Sequence, residues 1–143
     1  MKNMQAKHDH RDELVRIGIL AIEHALRFLP ENNPSHALVL DRLKALHNHD
    51  TGPTKEMIRQ AQPETEYSQQ GCLRRASVEL LKLSVSEKYL SSSALTTAVF
   101  VPCWDAGSFV GRGQEMQTEM EFQNKDLYPM IERAFEKLRN PAA

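Results

Sequence analysis

Apolar residues recur at helical spacing along most of the chain. The apolar positions of the first such segment, about residues 9–29, are Leu14, Ile17, Ala21, Leu26 and Phe28. Pro30 ends the segment, and its middle is apolar on almost every side, which is typical of a helix at the centre of a domain. Gly18 lowers helix stability there by about 1 kcal/mol relative to alanine. We therefore expect a neighbouring helix to pack closely against Gly18.

Further segments show the same spacing and are separated by proline, glycine and polar residues. Their apolar positions are Ala37, Leu40, Leu43 and Leu46; Met57, Ile58 and Ala61; Tyr67, Leu73, Ala76, Leu80 and Leu83; and Met116, Met120, Leu127, Ile131, Ala134 and Leu138. Asn33 before Pro34 is a typical helix start, with a polar cap and then proline. We expect a short helix to begin at 51–53, the segment Thr-Gly-Pro.

The stretch of residues 89–113, YLSSSALTTAVFVPCWDAGSFVGRG, is rich in small residues. We interpret most of it as a buried helix bent by Pro102, although TTAVFV alone also fits a strand. Pro129 kinks or divides the last helix. The chain is therefore predicted to be one all-α domain, residues 1–143, of five or six helices with the first helix central. We expect the ends, residues 1–8 and 140–143, to be frayed, which places His8 and His10 in solvent.

Composition and charge exclude several classes of partner. The chain is 41% hydrophobic and 26% charged, as ordinary globular proteins are, and its formal net charge is -1. This balance gives no reason to expect a nucleic acid or a membrane surface as partner. There is no apolar run long enough for a membrane span and no signal-peptide pattern at the start, so we expect a cytoplasmic protein. Cys72 and Cys103 are interpreted as reduced thiols, although a single disulfide between them stays open.

The segment LKALHNHDTGPTKEM, residues 43–57, holds two histidines and an aspartate in four positions. At a helix C-terminus, histidines interact favourably with the last carbonyls and with the negative end of the helix dipole. His47-Asn48-His49-Asp50 therefore fits a helix end. The same residue types also bind metals, which is the alternative interpretation.

That alternative resembles the HD-domain metal phosphohydrolases, which are also all-helical. The segments EHALRF and ALHNHDTG match their early histidine, His24, and their His-Asp pair, His49 and Asp50. The resemblance implies a metal held by these residues and a distal aspartate, for which Asp105 and Asp126 are candidates. Such a metal would generate a hydroxide that attacks phosphorus. The chain contains no Glu-x-x-His pair, GxSxG elbow, P-loop or GxGxxG motif.

Acidic residues are concentrated early in the last helical segment. Residues 114–126 contain four acids, Glu115, Glu119, Glu121 and Asp126, against one base, Lys125. With Met116, Met120 and Leu127 facing inward, we expect Glu115, Glu119, Phe122 and Asp126 to share an exposed side. An acidic face with an aromatic anchor suits a basic cleft on a protein partner, and an ordinary solvated face is the alternative.

The order of these segments resembles the Imm5-like immunity proteins of bacterial polymorphic toxin systems. The matching stretches are GILAIEHALRFL, ENNPSHALVLDRLKAL, LRRASVELL, SSSALTTAVFVPCWDAGSF and EMEFQNKDLYPM, within about residues 14–131. The resemblance implies a helical protein that neutralises a cognate toxin by direct binding, with no catalysis, metal or cofactor of its own. It favours the helix-end interpretation of residues 47–50.

Overall fold

Helices occupy each segment in which the sequence shows helical period. The computed structural model describes residues 2–86 and 88–140, which form six helices and no strand in one domain. The helices are α1 (Lys2–Ala25), α2 (Pro34–His47), α3 (Thr51–Gln60), α4 (Gln69–Val85), α5 (92–107) and α6 (114–139). The all-α prediction is confirmed, and the strand alternative for TTAVFV is wrong. No helix in this part of the chain is long and apolar enough to cross a bilayer.

Polar caps fix several helix starts. The Asn33 side chain accepts a hydrogen bond from Ser35 N at 2.9 Å, and Pro34 occupies the first helical position, as predicted. Ser68 and Ser91 cap α4 and α5 in the same way. The first helix begins at Lys2 rather than near Asp9, so the backbone of residues 2–8 is helical where a frayed end was predicted. Met1 and residues 141–143 lie outside the described residues.

The core lies between α1, α4 and the helices around them. The fully buried side chains include Leu14, Ile17, Ile22, Leu73, Leu80, Leu81, Leu95 and Phe100. Helix α1 packs against α2, α4, α5 and α6, which confirms its central position, and α4 shares that position. The predicted close contact at Gly18 is confirmed, because a Cβ there would lie 2.8 Å from Leu80 Cδ1.

Helices α5 and α6 are each interrupted by one π-helical turn directly before a proline. Val101 N–H donates to Thr96 O and Tyr128 N–H donates to Gln123 O, five residues back in each case. Pro102 and Pro129 have no N–H to donate, and the wider turn carries the helix through them without ending it. The two turns face each other, since buried Gln123 Nε2 donates to Phe100 O at 3.0 Å.

Candidate functional site

Side chains from the end of α1 and the start of α6 meet in one group, which we call the Glu119 cluster. Its members are His24, Arg27, Glu115, Glu119 and Phe122. Arg27 belongs to a short 3-10 turn, Leu26–Phe28, that follows α1. The sequence predicted that the members from α6 form a partner surface, and it placed His24 in a metal site only under the alternative interpretation. In the structure these residues meet because they surround the buried carboxylate of Glu119.

Glu119 is the centre of the cluster and is 0% exposed. Its Oε1 accepts a hydrogen bond from Arg27 Nη1 and lies 2.7 Å from His24 Nδ1. Its Oε2 is also buried and has no hydrogen-bond partner among the described residues. The prediction that Glu119 lies on an exposed side of the helix is therefore wrong.

The guanidinium of Arg27 explains why a carboxylate is tolerated in this buried position. An ionised carboxylate is costly to bury unless it is paired and hydrogen-bonded. Arg27 is 36% exposed at its side chain and reaches inward from the surface, so one end stays near water. Its Nη2 also donates to Glu115 Oε2 at 3.0 Å, and its guanidinium carbon lies 4.3 Å from the Phe28 ring centroid. One arginine therefore neutralises two predicted surface acids.

Phe122 is half-buried and stacks on His24, with ring centroids 3.9 Å apart and an interplanar angle of 15°. This contact occupies one face of the ring that was predicted to anchor a partner. Asp126 is exposed, as are Glu121 and Lys125. The exposed surface of residues 114–126 is thus less acidic than the sequence suggests, because Glu119 is sealed and Glu115 is paired.

Both cysteines are buried, and no disulfide joins them. Burial raises the pKa of Cys72, and burial together with the nearby charge of Glu119 raises the pKa of Cys103 well above its ordinary value. A thiol must ionise to act as a nucleophile. Neither side chain is therefore activated for that chemistry.

Residues 47–50 form a helix end. Helix α2 ends at His47, and His49 adopts a left-handed conformation with φ of 53°. His49 N–H donates to Leu46 O at 3.2 Å and Asp50 N–H donates to Ala45 O at 3.1 Å, which is the hydrogen-bond pattern of a Schellman motif.

The four alternative metal ligands do not form one site. His24 is engaged by Glu119, whereas His49 and Asp50 are exposed at the end of α2. Asp105 lies in α5, where burial raises the pKa of its carboxyl and the charge of Arg75 opposes that shift. Within residues 2–86 and 88–140, no group of three or more histidine, cysteine or acidic side chains is arranged to hold a metal ion.

His10 is buried at 4% exposure, so its predicted position in solvent is wrong. Its ring lies edge-on to Phe135, with centroids 4.5 Å apart, and is stacked with Tyr89. Neither ring nitrogen makes a well-formed hydrogen bond to a described residue. Burial lowers the pKa of His10, and the nearby backbone of Leu90 and Ala134 opposes that shift. His8, by contrast, is exposed and contacts Arg11.

An exposed aromatic pair, Tyr67 and Phe109, joins two loops at the surface. Tyr67 was predicted to be an apolar position of a helix, and that prediction is wrong, because the helix starts only at Gln69. Tyr67 is 65% exposed and Phe109 is 40% exposed, and their rings meet edge to face with centroids 5.0 Å apart. Tyr67 lies just before α4 and Phe109 just after α5. The two residues are some forty positions apart along the chain. Periodicity within one helix therefore could not predict that their rings meet.

The loop that carries Phe109 continues into three successive residues with positive φ. These are Gly111 at 61°, Arg112 at 58° and Gly113 at 88°. Glycine adopts this conformation readily, whereas Arg112 does so at a cost of about 1 kcal/mol. Arg112 is also exposed, and a Cβ on Gly111 would lie 3.6 Å from Glu115 Cγ. We call Tyr67, Phe109, Arg112 and Glu115 the aromatic surface.

Comparison of the chain with protein-family models, with curated proteins and with solved structures found no match.

Proposed function

We propose that this chain is a bacterial immunity-type protein that neutralises a toxin by binding it directly in the cytoplasm. The observation that carries the proposal is the exposed Tyr67–Phe109 pair. Aromatic residues and arginine are the side chains that most often dominate the energy of a protein interface. Both types occur in the aromatic surface, and the resemblance to immunity proteins supplies the class of partner.

Burial of Tyr67 and Phe109 against a partner would contribute a substantial part of the binding free energy. Full burial of one large apolar side chain contributes about 1.5–3 kcal/mol. Tyr67 and Phe109 each retain a large exposed fraction, 65% and 40%, that a partner would cover. We expect the two rings together to contribute about 1.5–3 kcal/mol, or roughly 10- to 150-fold in affinity.

Both loops of the aromatic surface are held in place before any partner arrives. Arg74 binds Glu64 through two hydrogen bonds of 2.8 and 3.0 Å, which fixes the loop leading to Tyr67. A Cβ on Gly107 would lie 2.8 Å from the Glu115 carbonyl carbon, so the end of α5 touches the start of α6 and fixes the loop between them. A preorganised surface loses less conformational entropy on binding.

Charge has a smaller part in this proposal than the sequence suggests. Glu119 and Phe122 are committed to the Glu119 cluster, so we assign neither to the interface. Glu115 and Asp126 remain accessible on α6 and would act at the rim, where charges mainly affect the rate of association. Phosphohydrolase activity is not proposed, because His24 is engaged by Glu119 and His49 with Asp50 ends a helix.

The test begins with the neighbouring gene, which we expect to encode a large secreted toxin. Its toxic domain is expressed in bacteria together with this chain, and growth and the dissociation constant of the complex are measured. The wild-type chain should restore growth, and Tyr67→Ala with Phe109→Ala should weaken binding by at least about tenfold. Leu40→Ala, at a similarly exposed leucine of α2 (36%), is the control and should bind normally.

The outcomes distinguish a wrong function from a wrongly placed binding surface. If the wild-type chain neither binds the toxin nor restores growth, the immunity proposal is refuted. Full protection by the double aromatic variant would place the interface elsewhere. Stoichiometric metal in the purified protein, lost in a His49→Ala, Asp50→Ala variant that also loses phosphodiesterase activity, would favour the enzyme alternative.

A further inference from the structure

Arg42 is a buried arginine that has no acidic partner among the residues that the structure describes. It lies in α2, is 7% exposed, and its side-chain hydrogen bonds run from Nη1 to Arg74 O and Ser77 Oγ, both at 2.9 Å. Both acceptors are neutral. No described carboxylate lies within salt-bridge distance of Arg42, although buried charges in proteins are normally paired.

The nearest candidate counter-ion is already in use. Glu64 is close enough to favour the charged form of Arg42, but its carboxylate is held at both oxygens by Arg74. Burial is the main influence on Arg42 and lowers its pKa, and the charge of Arg74 lowers it further. A guanidinium in a protein nevertheless stays protonated, so this site keeps a positive charge that is poorly compensated.

Arg42 is one of the residues that line a cavity of about 560 Å³ between α2, α3 and the loop before α4. Neither Nε nor Nη2 of Arg42 donates to a described residue, and neither atom is sealed from solvent. Leu38, Met57 and Pro63 supply apolar walls, and Gln60 and Gln62 supply amides. The volume lies within the range of about 300–1,000 Å³ that is usual for small-molecule sites.

We propose that this cavity binds a small organic carboxylate with an apolar body, whose carboxylate group is held by Arg42. A carboxylate matches the planar fork of a guanidinium and supplies the missing negative charge. Two carboxylates also border the cavity, that of exposed Asp41 and that of Glu64, which is paired with Arg74. An anion of higher charge would therefore meet more repulsion there. The apolar walls favour a hydrocarbon body over a bare inorganic ion.

The test uses hexanoate as the probe, with hexylammonium and inorganic phosphate as matched comparisons. Hexanoate should bind saturably and shift the Nε–H resonance of Arg42 in the NMR spectrum of the wild-type protein. Hexylammonium and phosphate should bind at least about tenfold more weakly, because one lacks the anion and the other the apolar body. This readout needs no substitution at Arg42, which is buried and packed.

Two exposed leucines on α2 provide a test variant and a matched control for hexanoate binding. Leu38 borders the cavity and is 40% exposed, whereas Leu40 is 36% exposed and lies outside it. Leu38→Asp adds negative charge and removes an apolar wall, so it should weaken hexanoate binding by about tenfold or more, with Leu40→Asp unchanged. The inference is overturned if hexanoate does not bind, if either comparison compound binds as tightly, if Arg42 does not respond, or if both variants behave alike.

Discussion

Replacing Arg27 with methionine tests whether charge pairing holds the Glu119 cluster together. In the wild-type protein the carboxylate of Glu119 is 0% exposed, and its Oε1 is bound by Arg27 Nη1. Methionine keeps a long side chain that can still contact Phe28. The substitution therefore removes mainly the positive charge and its hydrogen bonds.

The size of the effect follows from the exposure of the two partners. Removing one member of a buried ion pair costs about 3–5 kcal/mol, because the other charge is left uncompensated. The Arg27 side chain is 36% exposed, so water offsets part of that loss. We expect the free energy of unfolding to fall by about 2–3 kcal/mol, a large share of the total of roughly 5–15 kcal/mol usual for a domain.

A second substitution should reverse most of this loss. Arg27→Met combined with Glu119→Met exchanges the pair for two apolar side chains, a change that is often neutral in buried sites. Urea denaturation of the wild type, both single variants and the double variant gives the coupling energy directly. Arg16→Met, at an exposed arginine of α1, is the control. The reasoning is refuted if Arg27→Met matches the control, or if the double variant is no more stable than Arg27→Met alone.

Two further predictions concern histidines that the sequence placed in solvent or at a helix end. His49→Gly should raise the free energy of unfolding by about 0.5–1 kcal/mol, because glycine adopts the left-handed conformation at this helix end without steric cost; an unchanged or lower urea midpoint would contradict this. Burial lowers the pKa of His10 below its ordinary 6.5, so below that pH the unfolded chain binds a proton that the folded protein excludes. The free energy of unfolding should therefore decrease as the pH drops from 7 towards 5, and it should decrease less steeply for His10→Phe than for the wild type. Urea denaturation of both proteins across this pH range measures the difference. Equal dependence on pH would show that His10 does not contribute.

Local signals predicted the helices well because their causes lie close together in sequence. Asn33 and Pro34 mark a helix start through contacts within a few residues, and His49 marks a helix end in the same way. Pro102 and Pro129 were predicted to bend helices. The π-helical turns before them were not predicted, because they also depend on packing between α5 and α6.

The candidate site depends on partners that are distant along the chain. From the sequence, Glu119 is predicted to be an exposed acid, because its partner Arg27 lies 92 positions away along the chain. The same limit applies to Tyr67 and Phe109, which meet only after the chain has folded. Arg42 was not singled out either, because its burial and the lack of a counter-ion among the described residues are recognisable only in three dimensions.

Hydrogen exchange of the chain with and without the proposed toxin partner tests the binding surface most directly. We expect slower exchange at the backbone amides of residues 64–68 and 108–115, which carry the aromatic surface, since a partner that covers Tyr67 and Phe109 also shields these loops. Exchange in the middle of α2, around exposed Leu40, should stay the same. Protection confined to other parts of the chain, with both loops unchanged, would contradict the proposed interface.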